Sequence, residues 1–250
     1  MKNIFAATLL GASLIATGAA AQEQDSRLKT VLDRGSLLCS GHNGSFLGFA
    51  EVDDEGKWKG LDIELCQALA AGLFGTSEGH LEIVPISWAQ RWPALQSGDI
   101  DVVIKVSGWT QSRDTELNLQ FSRPYFIGAF QAMTKTELGA QSIADLDGGT
   151  ICVAAGTSTE RAAATYLQSK SIEAELLTFE NGDELRNAYY DGRCDAYVEW
   201  APSLAAARLD APDGADAHVI LSDVIDLEAE GIVVPEGDPK WLDVQNWMLN

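Results

Sequence analysis

Arg113 closes the stretch Val106-Ser107-Gly108-Trp109-Thr110-Gln111-Ser112-Arg113, which follows the apolar run Ile100-Asp101-Val102-Val103-Ile104. A strand that delivers small hydroxylated residues and then a permanent cation is suited to capturing a small carboxylate. The guanidinium offers a planar fork of donors, and a loop off a strand end presents hydroxyls and backbone N–H groups beside it. No nucleophile stands next to an evident base. The chemistry implied is recognition of a small anion-bearing solute, without reaction. The competing reading of Arg113 is an ion pair with Asp114 or Glu116, and the intact hydroxyl-rich neighbourhood favours the ligand.

The elements that must position this cation alternate between strand-like and helix-like runs. Leu37-Leu38-Cys39-Ser40 reads as a strand. Leu61, Leu65, Leu69 and Leu73 mark one helix face at a spacing of four. Leu81-Glu82-Ile83-Val84-Pro85-Ile86 is a second strand. Residues 92–96 read as a helix that stops at Ser97-Gly98, where glycine suits a left-handed cap. The run at 100–104 is then the strand that leads to Arg113. This β-α-β-α-β order predicts an α/β sheet with ligands at strand C-termini. The second half repeats the pattern: helix, Gly98, Asp101 and strand are echoed by helix, Gly192, Asp195 and strand. An aromatic segment at 121–133 reads as a crossing from one half to the other. Residues 230–238 read as the return, and a helix begins at Trp241.

The first 21 residues fit a cleaved leader, with Lys2, an apolar stretch and Ala19-Ala20-Ala21 before Gln22. That stretch is short for a membrane span. The chain carries 17 Lys plus Arg against 37 Asp plus Glu, a net charge of −20. Such an excess argues against nucleic acid and against anionic membrane surfaces as partners. Four cysteines in an exported chain imply two disulfides, with three possible connectivities. Pairing Cys39 with Cys66 and Cys152 with Cys194 keeps each bridge inside one half, stabilising by about 3–4 kcal/mol each in the chain-entropy model. No C-x-x-C pair occurs and the three histidines are scattered, so neither a metal nor another cofactor is expected. His42 reads as a solvated loop residue and Trp109 as core packing.

Taken together, several stretches resemble the periplasmic solute-binding components of polar amino-acid ABC transporters, in particular the general L-amino-acid-binding subgroup. They are Gly60-Leu61-Asp62-Ile63-Glu64-Leu65-Cys66, the segment at 94–102, Trp109-Thr110-Gln111-Ser112-Arg113-Asp114, Gly156-Thr157-Ser158-Thr159-Glu160 and Gly192-Arg193-Cys194-Asp195. The resemblance implies a two-lobed, type II periplasmic-binding-protein-like α/β fold, each lobe a mixed sheet flanked by helices. With the leader at 1–21, one lobe falls at 22–126 with 230–250 and the other at 127–229, with hinge strands near 127–133 and 228–234. The resemblance also implies that the chain stops short of the usual C-terminal helices. A monomer that closes over its solute and docks on a membrane permease is expected, with the leader removed after Ala21 and no membrane insertion afterwards.

By the same resemblance Arg113 holds the ligand carboxylate, and backbone N–H groups at Thr157, Ser158 and Thr159 meet it from the second lobe. Those three residues would equally cap the helix near Glu160, and a helix N-terminus is itself an anion site. Ser107 and Thr110 line the first lobe, and Phe49 stands near the ligand side chain. Two positions depart from the pattern: Gly108 replaces a hydroxylated residue and Trp200 an aspartate, both implied to hold the ligand's ammonium. Glu199 is adjacent, but one step along a strand turns a side chain to the other face. Either the backbone shifts there, or the ligand is not an ordinary amino acid. Two other function classes follow: a sensory or assembly role on the same fold, and a dehydratase-like enzyme. The enzyme would need Glu199 or His42 as acid or base, and neither has an evident partner.

Overall fold

The computed structural model describes residues 26–250, so the leader at 1–21 lies outside the described residues. The first half runs through α1 (Arg27–Arg34), β1 (Leu37–His42), the short pair β2 (Glu51–Val52) and β3 (Trp58–Lys59), α2 (Leu61–Phe74), β4 (Leu81–Ile86), α3 (Arg91–Ser97) and α4 (Gln111–Glu116). The long strand β5 (Leu119–Lys135) then crosses to the second half. That half holds β6 (Thr150–Ala154), α5 (Ser158–Lys170), β7 (Glu175–Phe179), α6 (Gly182–Tyr190), β8 (Ala196–Trp200), α7 (Ala201–Leu209) and β9 (His218–Ile220). Strand β10 (Asp226–Pro235) returns antiparallel along β5, and α8 (Pro239–Met248) follows.

The strands form mixed sheets. β1 pairs in parallel with β4, while the larger sheet has the order β10-β5-β8-β6-β7 with β9 on β5. The run at 100–104 departs from expectation. It makes isolated bridges, Val102 to Cys39 and Val103 to Val233, and is not a continuous strand. A side chain has replaced the next ladder partner: Ile104 N donates to the Ser40 hydroxyl at 2.9 Å. The run is nevertheless fully buried, so it still delivers the following loop from the core.

The repeated glycine–aspartate module has a structural reason. Gly98 caps α3 in the left-handed region at φ 88°, and Gly192 follows α6 at φ 75°, conformations that glycine adopts without steric cost. Each aspartate then pins the start of the neighbouring strand. Asp101 Oδ2 accepts from Leu38 N at 2.7 Å, and Asp195 Oδ2 accepts from Thr150 N at 2.8 Å. Backbone bonds reinforce both, Asp101 N to Leu38 O and Asp195 N to Thr150 O. One cysteine of each disulfide lies on the strand so pinned: Cys39 on β1 joins Cys66, and Cys152 on β6 joins Cys194.

Each half has its own apolar core. One gathers Leu37, Leu69, Val102, Ile104, Val234 and Trp241; the other gathers Ile143, Ile151, Leu167, Ala196 and Val198. Between them lies an aromatic cluster drawn from both halves, including Phe46, Phe49 and Trp88 with Phe130, Tyr197 and Trp200.

Candidate functional site

The loop that carries Arg113 leaves the core under strain. Val106 has φ 35°, a left-handed value that a β-branched residue rarely takes, and its N–H donates to the Tyr125 hydroxyl at 3.1 Å. Thr110 caps α4, its hydroxyl accepting from Arg113 N at 3.4 Å. The turn aims the Arg113 side chain inward, where it is 7% exposed. Its Nη1 donates to Gly108 O at 2.8 Å, and the group lies 5.4 Å from the centre of the Trp92 ring. Burial lowers the Arg113 pKa from its ordinary value, while Glu228 and Glu230 push it back up.

Arg113 opens on a narrow cavity between the halves. The wall includes Thr157, Ser158 and Thr159 at the start of α5, Glu199 and Trp200 at the end of β8, and Glu228 on β10. Phe46, Trp88, Arg91 and Val106 complete it. Thr157 is the N-cap of α5: its hydroxyl accepts from Glu160 N at 3.1 Å and donates to Ala154 O at 2.7 Å. The helix therefore presents its N-terminus to the cavity, which favours an anion there. Ser158 Oγ donates to Glu228 Oε2 at 2.7 Å, and Glu228 Oε1 lies 4.0 Å from Arg113 Nη1.

Glu199 and Trp200 both reach the cavity although they are neighbours on a strand. Trp200 ends β8 and caps α7, where the chain turns from strand to helix and strict alternation lapses. Its ring packs on Phe49, Phe126 and Phe130 and is 1% exposed. It is a core tryptophan whose edge is also a cavity wall. Glu199 Oε1 accepts from Trp200 N at 2.9 Å. Burial raises the Glu199 pKa to about 7, with the Trp200 N–H and Arg186 opposing and Glu228 adding.

Other anticipated residues sit one layer out. Ser107 turns inward, its hydroxyl donating to Lys105 O at 3.0 Å. Phe49 packs behind Trp200. Thr110 faces an outer groove with Trp109, Arg161 and Tyr166 that shares Ser158 and Glu228 with the cavity. Gly108 touches the site through Glu228: a Cβ there would lie 1.8 Å from the Glu228 Cδ. Two sequence expectations are corrected. Trp109 is 48% exposed and stacks on Phe121 at the surface, because the α4 turn directs Arg113 inward and Trp109 outward. His42 is 4% exposed, stacked on Phe46 with its edge to Trp88, because β1 extends through it.

Sequence reasoning missed Phe46, Trp88, Arg91, Lys105 and Glu228. Arg91 packs over Trp88 and Trp92 at 5.3 and 4.2 Å and donates to Trp88 O and to Gly156 O. Lys105 lies 4.4 Å over the Trp88 ring, donating to Gly41 O at 3.2 Å. Behind it Asp62 accepts from the Tyr125 hydroxyl at 2.9 Å and stands 3.8 Å from His42. Burial pushes the Asp62 pKa up to about 7 and holds those of Lys105 and His42 well below their ordinary values. The available signal was Trp88 three residues before Arg91 at a helix start. The arrangement can bind a small zwitterion: cations and a helix N-terminus for a carboxylate, carboxylates for a cation, aromatic walls for the remainder.

Known proteins resemble this chain in sequence and in fold. The model of the bacterial extracellular solute-binding proteins, family 3, matches residues 38–250. The chain is 35% identical over 247 residues to the general L-amino acid-binding periplasmic protein AapJ of Rhizobium johnstonii, covering 99% of this chain and 71% of the relative. It is 36% identical over 246 residues to the glutamate/glutamine/aspartate/asparagine-binding protein BztA of Rhodobacter capsulatus, covering 98% and 71%. Among solved structures, an ABC transporter / periplasmic binding protein from Brucella ovis with glutathione bound superposes with a TM-score of 0.84 at 37% identity. That match covers 90% of this chain and 70% of the other.

Proposed function

This chain belongs to the bacterial extracellular solute-binding proteins of family 3, and from that premise we propose that it captures an amino acid or amino-acid-like solute and hands it to an ABC transporter. The observation that carries the reading is Arg113, buried at the mouth of an interlobe cavity and opposed by the N-terminus of α5. Arg113 holds the solute carboxylate, with the α5 N–H groups at Ser158 and Thr159 meeting it from the other side. Phe46, Trp88 and Trp200 wall the side chain. Relatives named for general amino acids and for glutamate, glutamine, aspartate and asparagine support the solute class. The glutathione-bound neighbour extends it to small peptides.

Closure follows from a solute that touches both lobes, since it favours the state in which both contacts exist. Among the described residues the lobes are 26–126 with 230–250, and 127–229, hinged on β5 and β10, whose paired length supports this division. The protein acts as a monomer in the periplasm after cleavage behind Ala21, and the membrane permease of the transporter is its partner. Among the described residues no helix is long and apolar enough to cross a membrane. It binds and releases without covalent change: Glu199 and His42, the residues an enzyme would need, are held by Trp200 N–H and by aromatic packing.

A thermal-shift screen of the amino acids and glutathione, followed by calorimetry, tests the reading. A true solute at a hundred times its Kd stabilises by about 2.7 kcal/mol, a rise of roughly 5–10 °C. Arg113→Ala removes that rise and weakens binding by about thirtyfold or more, while Arg113→Lys, which keeps the charge but loses the fork, recovers part of it. Unchanged affinity in folded Arg113→Ala overturns the carboxylate role.

A further inference from the structure

We infer that Glu228, seated in the space opened by Gly108, supplies the carboxylate that receives the ammonium group of the bound solute. The inference rests on the solute-receptor reading above and adds a specificity residue to it.

A zwitterion held by Arg113 brings its own cation into the cavity, and a buried cation needs an anion within reach. Two carboxylates face that space, Glu199 and Glu228. Glu199 is anchored by the Trp200 N–H at 2.9 Å and buried at the strand end. Glu228 reaches in from the return strand, paired across from Gly128 on β5. Its Oε2 takes the Ser158 hydroxyl at 2.7 Å. Its Oε1 stands 4.0 Å from Arg113 Nη1, too far for a hydrogen bond, and can receive a further donor.

Gly108 makes this pose possible. Any Cβ at that position would lie 1.8 Å from the Glu228 Cδ and 2.0 Å from its Oε1. The position that gives up a side chain and the carboxylate that fills its place are therefore one device. Glu230 backs it. That side chain is fully buried on the same strand, and neither of its carboxyl oxygens finds a hydrogen-bond donor among the described residues. Burial first, and the Glu228 charge second, hold its pKa well above the carboxylate range.

The experiment takes the amino acid that most stabilises the wild-type protein and its 2-hydroxy acid, which lacks only the ammonium. Calorimetry is run with both on wild type, Glu228→Gln and Gly108→Ala. The expected result for Glu228→Gln is an approximately thirtyfold loss for the amino acid, with the hydroxy acid changed far less. Gly108→Ala, which displaces the Glu228 carboxylate sterically, shows the same selective loss. Equal losses for both compounds, or none, overturn the role of Glu228 and leave the receptor reading standing. A wild-type protein that binds none of the amino acids or glutathione overturns the receptor reading and this inference together.

Discussion

Glu199 offers a test of the site's electrostatics that needs no solute. Its carboxyl titrates at about 7 in the folded protein because burial penalises the charge, whereas an unfolded glutamate titrates near its ordinary value of about 4.3. Between those values the native state holds more protons, so unfolding free energy falls as pH rises. The contribution is fully present below about 4.3 and lost once pH has passed about 7. Glu199→Gln removes the dependence while keeping an acceptor for Trp200 N. Its advantage over wild type should be small at pH 5 and about 3 kcal/mol at pH 8, several degrees in melting temperature. Parallel melting profiles for the two proteins would sink the assignment. His42, whose lowered pKa acts in the opposite sense, is common to both and cancels. At this scale the sequence disclosed the residues whose type and neighbours announce a role: Arg113 behind its hydroxyls, and Thr157 to Thr159 as a cap. It did not disclose Glu228, because a lone glutamate on a strand carries no mark of facing an arginine from the other half. Trp109 and His42 were misread for a related reason. Which way a loop side chain turns depends on the capping and packing of elements distant in sequence.

The repeated glycine–aspartate module shows how similar local sequence is given different weight by its surroundings. Asp101 is fully buried, accepts from Leu38 N, and pairs with Arg34 and Arg27. Asp195 makes the matching bond to Thr150 N from an exposed position. Asp101→Ala takes the acceptor from Leu38 N and from two partly exposed arginines and should cost about 2–3 kcal/mol, while Asp195→Ala removes one solvent-accessible bond and should cost about 1 kcal/mol. Urea unfolding of the two variants measures the contrast, and equal losses would contradict it. The module, the helix face of α2 and the crossing strands were legible because each rests on local periodicity or glycine chemistry. The strand expected at 100–104 was not, since a ladder needs a partner and Ser40 takes that place with its side chain. Apolar content fixed its burial; hydrogen-bond geometry, which the run itself does not encode, decided its class.

On the scale of the whole molecule, affinity depends on how readily the halves close as well as on the cavity they enclose. Several bonds join them away from the site. Asp183 Oδ2 accepts from Ser45 N at 3.0 Å, Arg186 Nη1 donates to Ser45 O at 2.8 Å, and Ser203 Oγ donates to Leu47 O at 3.1 Å. Asn43 Nδ2 donates to Glu180 O at 3.2 Å and Asn181 Nδ2 donates to Asn43 O across the same seam. A net charge of −20 opposes any compact state through self-repulsion, so such contacts tilt a near balance. Asp183→Ala removes a seam bond and releases Arg186 while leaving the cavity wall intact. A closed state weakened by about 1–2 kcal/mol becomes the minor form, and apparent affinity falls in proportion to its population. The expected outcome is a roughly five- to thirtyfold weaker Kd in calorimetry, with a larger radius of gyration by X-ray scattering without solute and a wild-type radius at saturation. Weaker binding with an unchanged radius would place the effect inside the cavity and refute the seam as the element that sets closure.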